Sequence, residues 1–498
     1  MFDPNAAQLK LGIIGAGAMG TGIAQVAAVG GIDTRLHDAD AAAGERGLQQ
    51  VRKRLERQVE KGRMSAADVE AAVARLSVAD AISDLADRDV VIEAVVEDLD
   101  VKQAIFAKLE ETVSERCILA SNTSSLPIGA IAANCARRGR IAGMHFFNPV
   151  PLMKLVEVVR ALDTAPEVVE ALSGLGERMG RTPVTVKDTP GFLVNFGGRA
   201  YTTEALALIH EGVATPAQVD AVMRDCCGFR MGPFELMDLT GIDVNYPVTR
   251  FVWESFFNDP RLRTTPQHRA LREAGRLGRK TGAGFYEYGE DAKPESPDAV
   301  VGTRPAQRVV LVEPDDRLAE LVAEAGAEEL REDDGKAPLL AAPIGEDCTA
   351  LAVRTGVDAR RLVAVDTMFD TSRRVVVMTA PGVDGVTRDS VIDLLGKVRG
   401  VTAIGDSAGF IAQRIAAMVG NLGCEMAQIG LARPDEIDLA MRLGLNYPKG
   451  PLELCDAMEP SKVHRILQQA QAITGDDRYR PSQWLRRRAL LGLPAGQC

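Results

Sequence analysis

The chain has 498 residues, 46% hydrophobic and 26% charged, with a net charge of −11. That length divides into two to four domains, since a single hydrophobic core stops growing well before it. The acidic balance argues against nucleic acid as a partner, and no uninterrupted apolar run of about 20 residues suggests a membrane span. The opening MFDPNAAQLK lacks a basic then apolar leader, so a cytoplasmic protein is expected. Eight cysteines contain no CxxC pair, and no histidine stands at metal-ligand spacing, so reduced thiols and no metal site are expected. Adjacent Cys226 and Cys227 read as small apolar helix residues.

In chain order, Leu11-Gly12-Ile13-Ile14 is a short apolar strand ending at Gly15, and Gly20 to Ala28 has helical composition. A second strand, Thr34 to His37, ends at Asp38, and a basic amphipathic helix runs from Gly47-Leu48 to Lys61. Strands follow at Val90 to Ala94, Ile118 to Ser121 and Ile141 to His145, with helical patterns between most of them. Alternating strands and helices predict an α/β fold, a Rossmann doubly wound parallel sheet. Gly15-Ala16-Gly17-Ala18-Met19-Gly20 fits G-x-G-x-x-G in its required strand-turn-helix context. Gly15 allows the tight turn, Gly17 admits a pyrophosphate against the backbone, and Gly20 lets helix and strand pack. Met19 lies inside the same phosphate turn. Asp38 at the next strand end would accept the ribose hydroxyls and repel a 2′-phosphate, which selects NAD over NADP. Arg35 sits on the strand and is given no phosphate role.

After Asp188-Thr189-Pro190-Gly191-Phe192 the texture turns helical as far as about Tyr288, and a polar linker, Glu290 to Pro297, follows. Short strands return at Val309 to Val312 and Val375 to Met378. A constant shift of 218 positions superimposes Asp188, Gly191 and Phe192 on Asp406, Gly409 and Phe410. The same shift carries Pro216, Asp220, Gly232, Pro233, Glu235 and Asp238 onto Pro434, Asp438, Gly450, Pro451, Glu453 and Asp456. The expected organisation is therefore a nucleotide-binding domain over 1–187, a helical domain over 188–289, a linker with a degenerate α/β region over 290–404, and a second helical copy over 405–498.

Hydride transfer from an alcohol needs a base near neutral pH, and only five histidines exist. His145 ends a predicted strand in Met144-His145-Phe146-Phe147-Asn148-Pro149, where ligands meet such sheets. This run, together with Glu93-Ala94-Val95-Val96-Glu97-Asp98, Ser121-Asn122-Thr123-Ser124-Ser125, Lys187 to Asn195 and Gly278-Arg279-Lys280-Thr281-Gly282, resembles the 3-hydroxyacyl-CoA dehydrogenase family from Leu11 to about Tyr288. The resemblance implies NAD-dependent oxidation of an (S)-3-hydroxyacyl-CoA, with His145 as base and Glu157 as its orienting partner. It further implies Ser124 and Asn195 on substrate oxygens, Asn148 on the nicotinamide side, and Glu97, Lys102 and Lys280 against the dinucleotide. An acyl-coenzyme A is the expected partner. The basic helix bearing Arg52, Lys53, Arg54, Arg57, Lys61 and Arg63 occupies the place of the family's coenzyme A arm, although Val51 stands where a hydroxyl residue is expected.

In the second copy Gln413 replaces Asn195 and the Lys280 motif has no counterpart, so that copy is expected to be catalytically silent. Long members of the family with a repeated helical domain point to 3-hydroxyadipyl-CoA as a candidate substrate, beside 3-hydroxybutyryl-CoA. Single-copy members dimerise through the helical domain, which implies either a homo-oligomer or an intrachain pseudo-dimer of the two copies. A 6-phosphogluconate or 3-hydroxyisobutyrate type of dehydrogenase, or a catalytically idle binding homologue, are the alternatives; the HFFNP run and the retained His145 and Glu157 speak against both.

Overall fold

The computed structural model describes residues 2–290, 292 and 295–497; Asp291, Lys293 and Pro294 of the expected linker lie outside them. The chain gathers into two compact units: residues up to Phe196 with Ile429–Leu445, and Gly197–Gln428 with Asn446 onward. This grouping cuts across the linear order, because a piece of the second helical copy belongs with the N-terminal unit.

The first unit is built on a sheet of eight strands: β1 Lys10–Ile14, β2 Asp33–His37, β3 Leu76–Ala79, β4 Val90–Glu93, β5 Ile118–Ser121, β6 Ile141–Phe146, β7 Leu155–Arg160 and β8 Thr182–Lys187. Their order is β3-β2-β1-β4-β5-β6-β7-β8. All neighbours are parallel except β6 and β7. Strands β4 to β6 are buried along their whole length, which is why they read as continuous apolar runs rather than alternating ones. The core gathers Ile13, Ile92, Ala120 and Met144 with Ile23 and Ala27 of the helix Ala18–Val29 and Leu172 and Leu175 of Pro166–Arg178. Strand order reverses between β1 and β4, the place where an open α/β sheet leaves a crevice.

The basic helix spans Ala41–Glu60, so Lys61 caps it and Arg63 lies past its end, beyond Gly62 with φ 65. Its Val51 is buried against Leu55, Val69 and Ala72, which accounts for an apolar residue there, while Arg52, Lys53 and Arg57 face outward. No described helix is long and apolar enough to cross a membrane.

The free edge of β8 is covered by the segment Ile429–Leu445. The Lys187 N–H donates to the Leu431 carbonyl at 2.9 Å, and the Thr185 N–H donates to Glu436 Oε1 at 3.3 Å. These contacts satisfy donors that an edge strand otherwise leaves open.

The second unit contains a six-stranded sheet of β9 Arg308–Leu311, β10 Glu328–Glu329, β11 Leu339–Ala341, β12 Leu362–Val365, β13 Arg374–Met378 and β14 Gly400–Ile404, ordered β10-β9-β11-β12-β13-β14. Only β12 and β13 run antiparallel. The degenerate region is thus a shortened version of the first sheet. Here the Gly405 N–H donates to the Val213 carbonyl at 2.9 Å and Gln218 Nε2 donates to the Ala403 carbonyl at 3.1 Å. Shifted by 218 positions, these are the residue pairs that close β8 in the first unit, so the duplication extends to the way strand edges are covered.

Within this unit the helices Arg199–His210 and Ile411–Gln428, one from each copy, pack together. Buried Arg414 donates to Glu204 at 2.8 Å and to Glu211 at 2.7 Å, while Arg478 donates to the other Glu204 oxygen at 2.9 Å. Cys226 and Cys227 are not helical as expected. The helix Pro216–Asp225 stops before them, and a turn closing at Gly228, φ 73, returns its N–H to the Arg224 carbonyl.

Candidate active site

The turn from β1 into the helix Ala18–Val29 has the shape its glycines predict. Gly15 adopts φ 105, and a Cβ there would stand 2.4 Å from the Ala94 carbonyl. At Gly20 a Cβ would meet the Gly15 carbonyl at 1.8 Å, so only glycine lets helix and turn close. Gly17, the N-cap, faces open space on the exposed side, and helix N–H groups lie behind it. Met19 is half-buried against the core, on the inner side of the turn. Asp38 Oδ2 accepts the Ala16 N–H at 2.7 Å, which ties the ribose-reading carboxylate to the phosphate turn. Arg35 is bound to the Asp84 carbonyl and is not presented beside Asp38. An open glycine N-cap next to a fixed carboxylate fits NAD.

One side of the site is organised by Glu97. Its Oε1 accepts from Thr123 Oγ1 at 2.6 Å, Ser124 N at 2.9 Å, Ser125 Oγ at 2.9 Å and Ser125 N at 3.1 Å. Burial raises the Glu97 carboxyl, but these donors and the Lys102 charge outweigh it and hold the group below its usual range. Lys102 is buried, with its ammonium 2.6 Å from Glu93 Oε1 and 3.3 Å from Glu97 Oε2. Ser121 Oγ donates to the second Glu93 oxygen at 2.7 Å. Thr123, Ser125 and Glu93 were not singled out from sequence; the acidic residues closing β4 opposite the serine run were the available signal. Asp188, pushed up by burial, still accepts the Gly129 N–H at 3.0 Å and anchors the chain leaving β8.

His145 and Glu157 face each other directly across the antiparallel β6/β7 pair. His145 Nδ1 lies 2.6 Å from Glu157 Oε2, and both side chains are buried. Glu157 Oε1 accepts the Leu193 N–H at 3.0 Å and the Val194 N–H at 2.9 Å. A carboxylate already taking two N–H donors is an acceptor, so the proton of the neutral imidazole sits on Nδ1 and Nε2 carries the free lone pair. The ring packs against Phe147, centroids 4.5 Å apart, and Phe192 at 5.8 Å. Asn195 Nδ2 lies 3.4 Å from the Ser124 carbonyl, which brings two predicted substrate-binding residues together. Asn122 Oδ1 accepts the Phe146 N–H at 2.8 Å and locks the ends of β5 and β6. Asn148 is exposed on the loop after β6. Lys280 lies in the second unit, on a short turn, with its ammonium 2.5 Å from Asp243.

The family model for the 3-hydroxyacyl-CoA dehydrogenase NAD-binding domain matches residues 10–189, and that for the C-terminal domain of the same enzymes matches twice, over 191–288 and 409–495. The chain belongs to the 3-hydroxyacyl-CoA dehydrogenase family. Among relatives, the 3-hydroxyadipyl-CoA dehydrogenase of Escherichia coli K12 is 40% identical over 481 residues, covering 96% of this chain and 97% of that one. A crystal structure of 3-hydroxybutyryl-CoA dehydrogenase from Escherichia coli K12 superimposes with a TM-score of 0.85 at 38% identity, over 98% and 99% of the two chains. A probable 3-hydroxybutyryl-CoA dehydrogenase of Bacillus subtilis is 42% identical over 278 residues, 56% of this chain but 96% of that one. This dehydrogenase therefore matches the Bacillus subtilis relative over about half its length and the two Escherichia coli relatives over nearly all of it. It carries the family's NAD-binding domain with an intact glycine turn.

Proposed function

We propose that the chain catalyses reversible oxidation of an (S)-3-hydroxyacyl-CoA to the 3-oxoacyl-CoA at a single site, with His145 as general base. The observation that carries this is the imidazole whose Nδ1 is committed to buried Glu157, leaving Nε2 to take the hydroxyl proton. NAD held at the Gly15–Gly20 turn supplies the hydride acceptor. Glu157 stabilises the imidazolium formed by proton transfer, a positioning role that general acid–base catalysis rewards with about 10²–10⁴ in rate. Ser124 and Asn195 hold substrate oxygens, and Asn148 lines the nicotinamide side. Glu97 fixes the Ser124 loop beside the dinucleotide, and Lys102 acts through Glu97.

The exposed cations Arg52, Lys53 and Arg57 are proposed to attract the coenzyme A phosphates. The packing of the helices Arg199–His210 and Ile411–Gln428 within one unit supports an intrachain pseudo-dimer of the helical copies. Free, buried thiols such as Cys117, Cys226 and Cys348 suit a reducing, cytoplasmic location.

For the acyl group we favour 3-hydroxyadipyl-CoA, because the Escherichia coli relative of that name matches across both copies. Comparison of kcat/KM for 3-hydroxyadipyl-CoA and 3-hydroxybutyryl-CoA tests the choice. A higher value for the dicarboxylic thioester is expected. Preference for the butyryl thioester would transfer the assignment to short straight chains, and inactivity with every acyl-CoA would leave an idle homologue.

A further inference from the structure

The helix Pro434–Leu445 comes from the second helical copy, yet it packs in the first unit against β7 and β8. Near its C-terminal end stands Gly444. A Cβ at that position would lie 3.1 Å from Leu155 Cδ2 and 3.1 and 3.2 Å from the two Val194 methyl groups. The backbone of Gly444 is ordinary right-handed helix, so the glycine is not there for its conformational freedom. Its effect is to let the helix approach Val194 more closely than a side chain would allow. Gly444 therefore costs helix propensity, about 1 kcal/mol relative to alanine, in return for contact.

Both residues it touches lead to the dyad. Leu155 opens β7 two positions before Glu157 and so points to the same side of the strand. Val194 donates its N–H to Glu157 Oε1 at 2.9 Å, and Glu157 Oε2 fixes His145 at 2.6 Å. The sequence of contacts runs from Gly444 through Val194 and Glu157 to His145, all within one compact unit.

The duplication supplies an internal comparison. Shifted by 218 positions, Gly444 corresponds to Cys226 and Val194 to Ala412. Cys226 does carry a side chain, its Sγ 3.6 Å from the Arg374 carbonyl of β13. Glu157 itself corresponds to Val375, so that pairing has no carboxylate to hold. Bulk sits just past the end of the helix Pro216–Asp225 where the neighbouring strand is silent, and is removed from the helix where the strand carries the dyad.

We infer that Gly444, supplied by the duplicated domain, is a positioning residue for the His145–Glu157 dyad: close seating of its helix holds the Val194 N–H on Glu157. The inference rests on the proposed base role of His145. The second copy is thereby part of the catalytic apparatus of the first half without touching substrate.

The test compares Gly444→Ala and Gly444→Val in the full chain, with NADH oxidation by acetoacetyl-CoA as the assay and far-UV circular dichroism and Tm to confirm folding. Expected are a kcat lower by a few-fold for alanine and by about tenfold or more for valine, as small displacements of reacting groups produce, with KM for NADH unchanged. Loss of the Val194 donor leaves Glu157 with more uncompensated charge toward the imidazole, so the pH midpoint of kcat/KM rises. In a Val194→Ala background, which opens space for the new Cβ, the Gly444→Ala loss shrinks. A folded Gly444→Val enzyme with wild-type kcat and pH midpoint overturns the inference, as does a loss of the same size in the Val194→Ala background. If instead His145→Gln retains activity, the base assignment itself fails, which separates the two conclusions.

Discussion

The two α/β halves of this chain share a plan and differ at the points where chemistry would occur. In the first, β1 leads through an open glycine N-cap into its helix. In the second, β9 leads into the helix Asp316–Glu324 through Asp315, whose carboxylate accepts the Leu318 N–H at 2.8 Å. By the 218-position shift β9 and this helix correspond to β4 and the helix Leu99–Thr112, which Asp98 caps in the same way, so the glycine turn of the first half has no counterpart in the second. At the antiparallel pair, His145 opposite Glu157 is matched by Thr367 and Val375 when the β12/β13 register is continued. Gln413, at the place of Asn195, is turned inward: its amide donates to Asp366 at 3.0 Å and accepts the Gly345 N–H at 2.8 Å. The cavity left there, about 130 Å³ and lined by Asp315, Pro343, Thr367 and Gln413, is below the usual size of ligand pockets. The second half keeps part of the scaffold and its edge-covering contacts but has neither the glycine turn nor the histidine–glutamate pair.

The largest effect that could break this contrast belongs to the dyad. His145→Gln is expected to lower kcat about 10³-fold with NADH affinity intact, and Glu157→Gln about 10²-fold, since a mispositioned or wrongly protonated imidazole cannot accept the proton. Steady-state kinetics alongside NADH fluorescence titration reads both. The nucleotide sites come next. Titration should give one NADH per chain; Gly17→Asp should abolish it, and Asp315→Gly should leave the stoichiometry at one. A second NADH in the wild type would show that the second half is not silent.

Stability separates the halves more gently. Glu204 is buried between Arg414 and Arg478, so Glu204→Gln leaves charge uncompensated and should destabilise the second unit by about 3–5 kcal/mol, read as a lower denaturation midpoint. The smallest effect concerns Asp366, the counterpart of Met144, whose carboxyl burial raises to about 6 from 3.8. A folded-state value above the unfolded one stabilises fully below pH 3.8 and is lost as pH rises through about 6. Asp366→Asn should therefore flatten the Tm profile between about pH 4 and 6 and raise Tm above it. An unchanged profile would show that this acid is already solvated.

Local signals carried much of this architecture. The Gly15 to Gly20 turn, the strands at β1, β2 and β4 to β6, and the 218-position repeat are written in short-range composition, and the strands proved buried as their apolar runs imply. What local pattern could not carry was pairing. That β7 turns back antiparallel to β6 decides that Glu157 meets His145, yet its sequence looks like any parallel strand. That Pro434–Leu445 belongs with β8 depends on contacts about 250 positions apart. Lys102 reads as a surface cation in its helix, but Glu93 at the end of the preceding strand β4 draws it inside. Cys226 and Cys227 fell outside their helix because Gly228, two places on, closes the turn.

The most direct test of the single-site account is NADH consumption with a 3-oxoacyl-CoA by wild type and by His145→Gln, each with bound NADH verified by fluorescence. The account predicts turnover by the wild type and near-complete loss in a variant that still binds NADH. A variant that turns over at the wild-type rate would place the base elsewhere and contradict it.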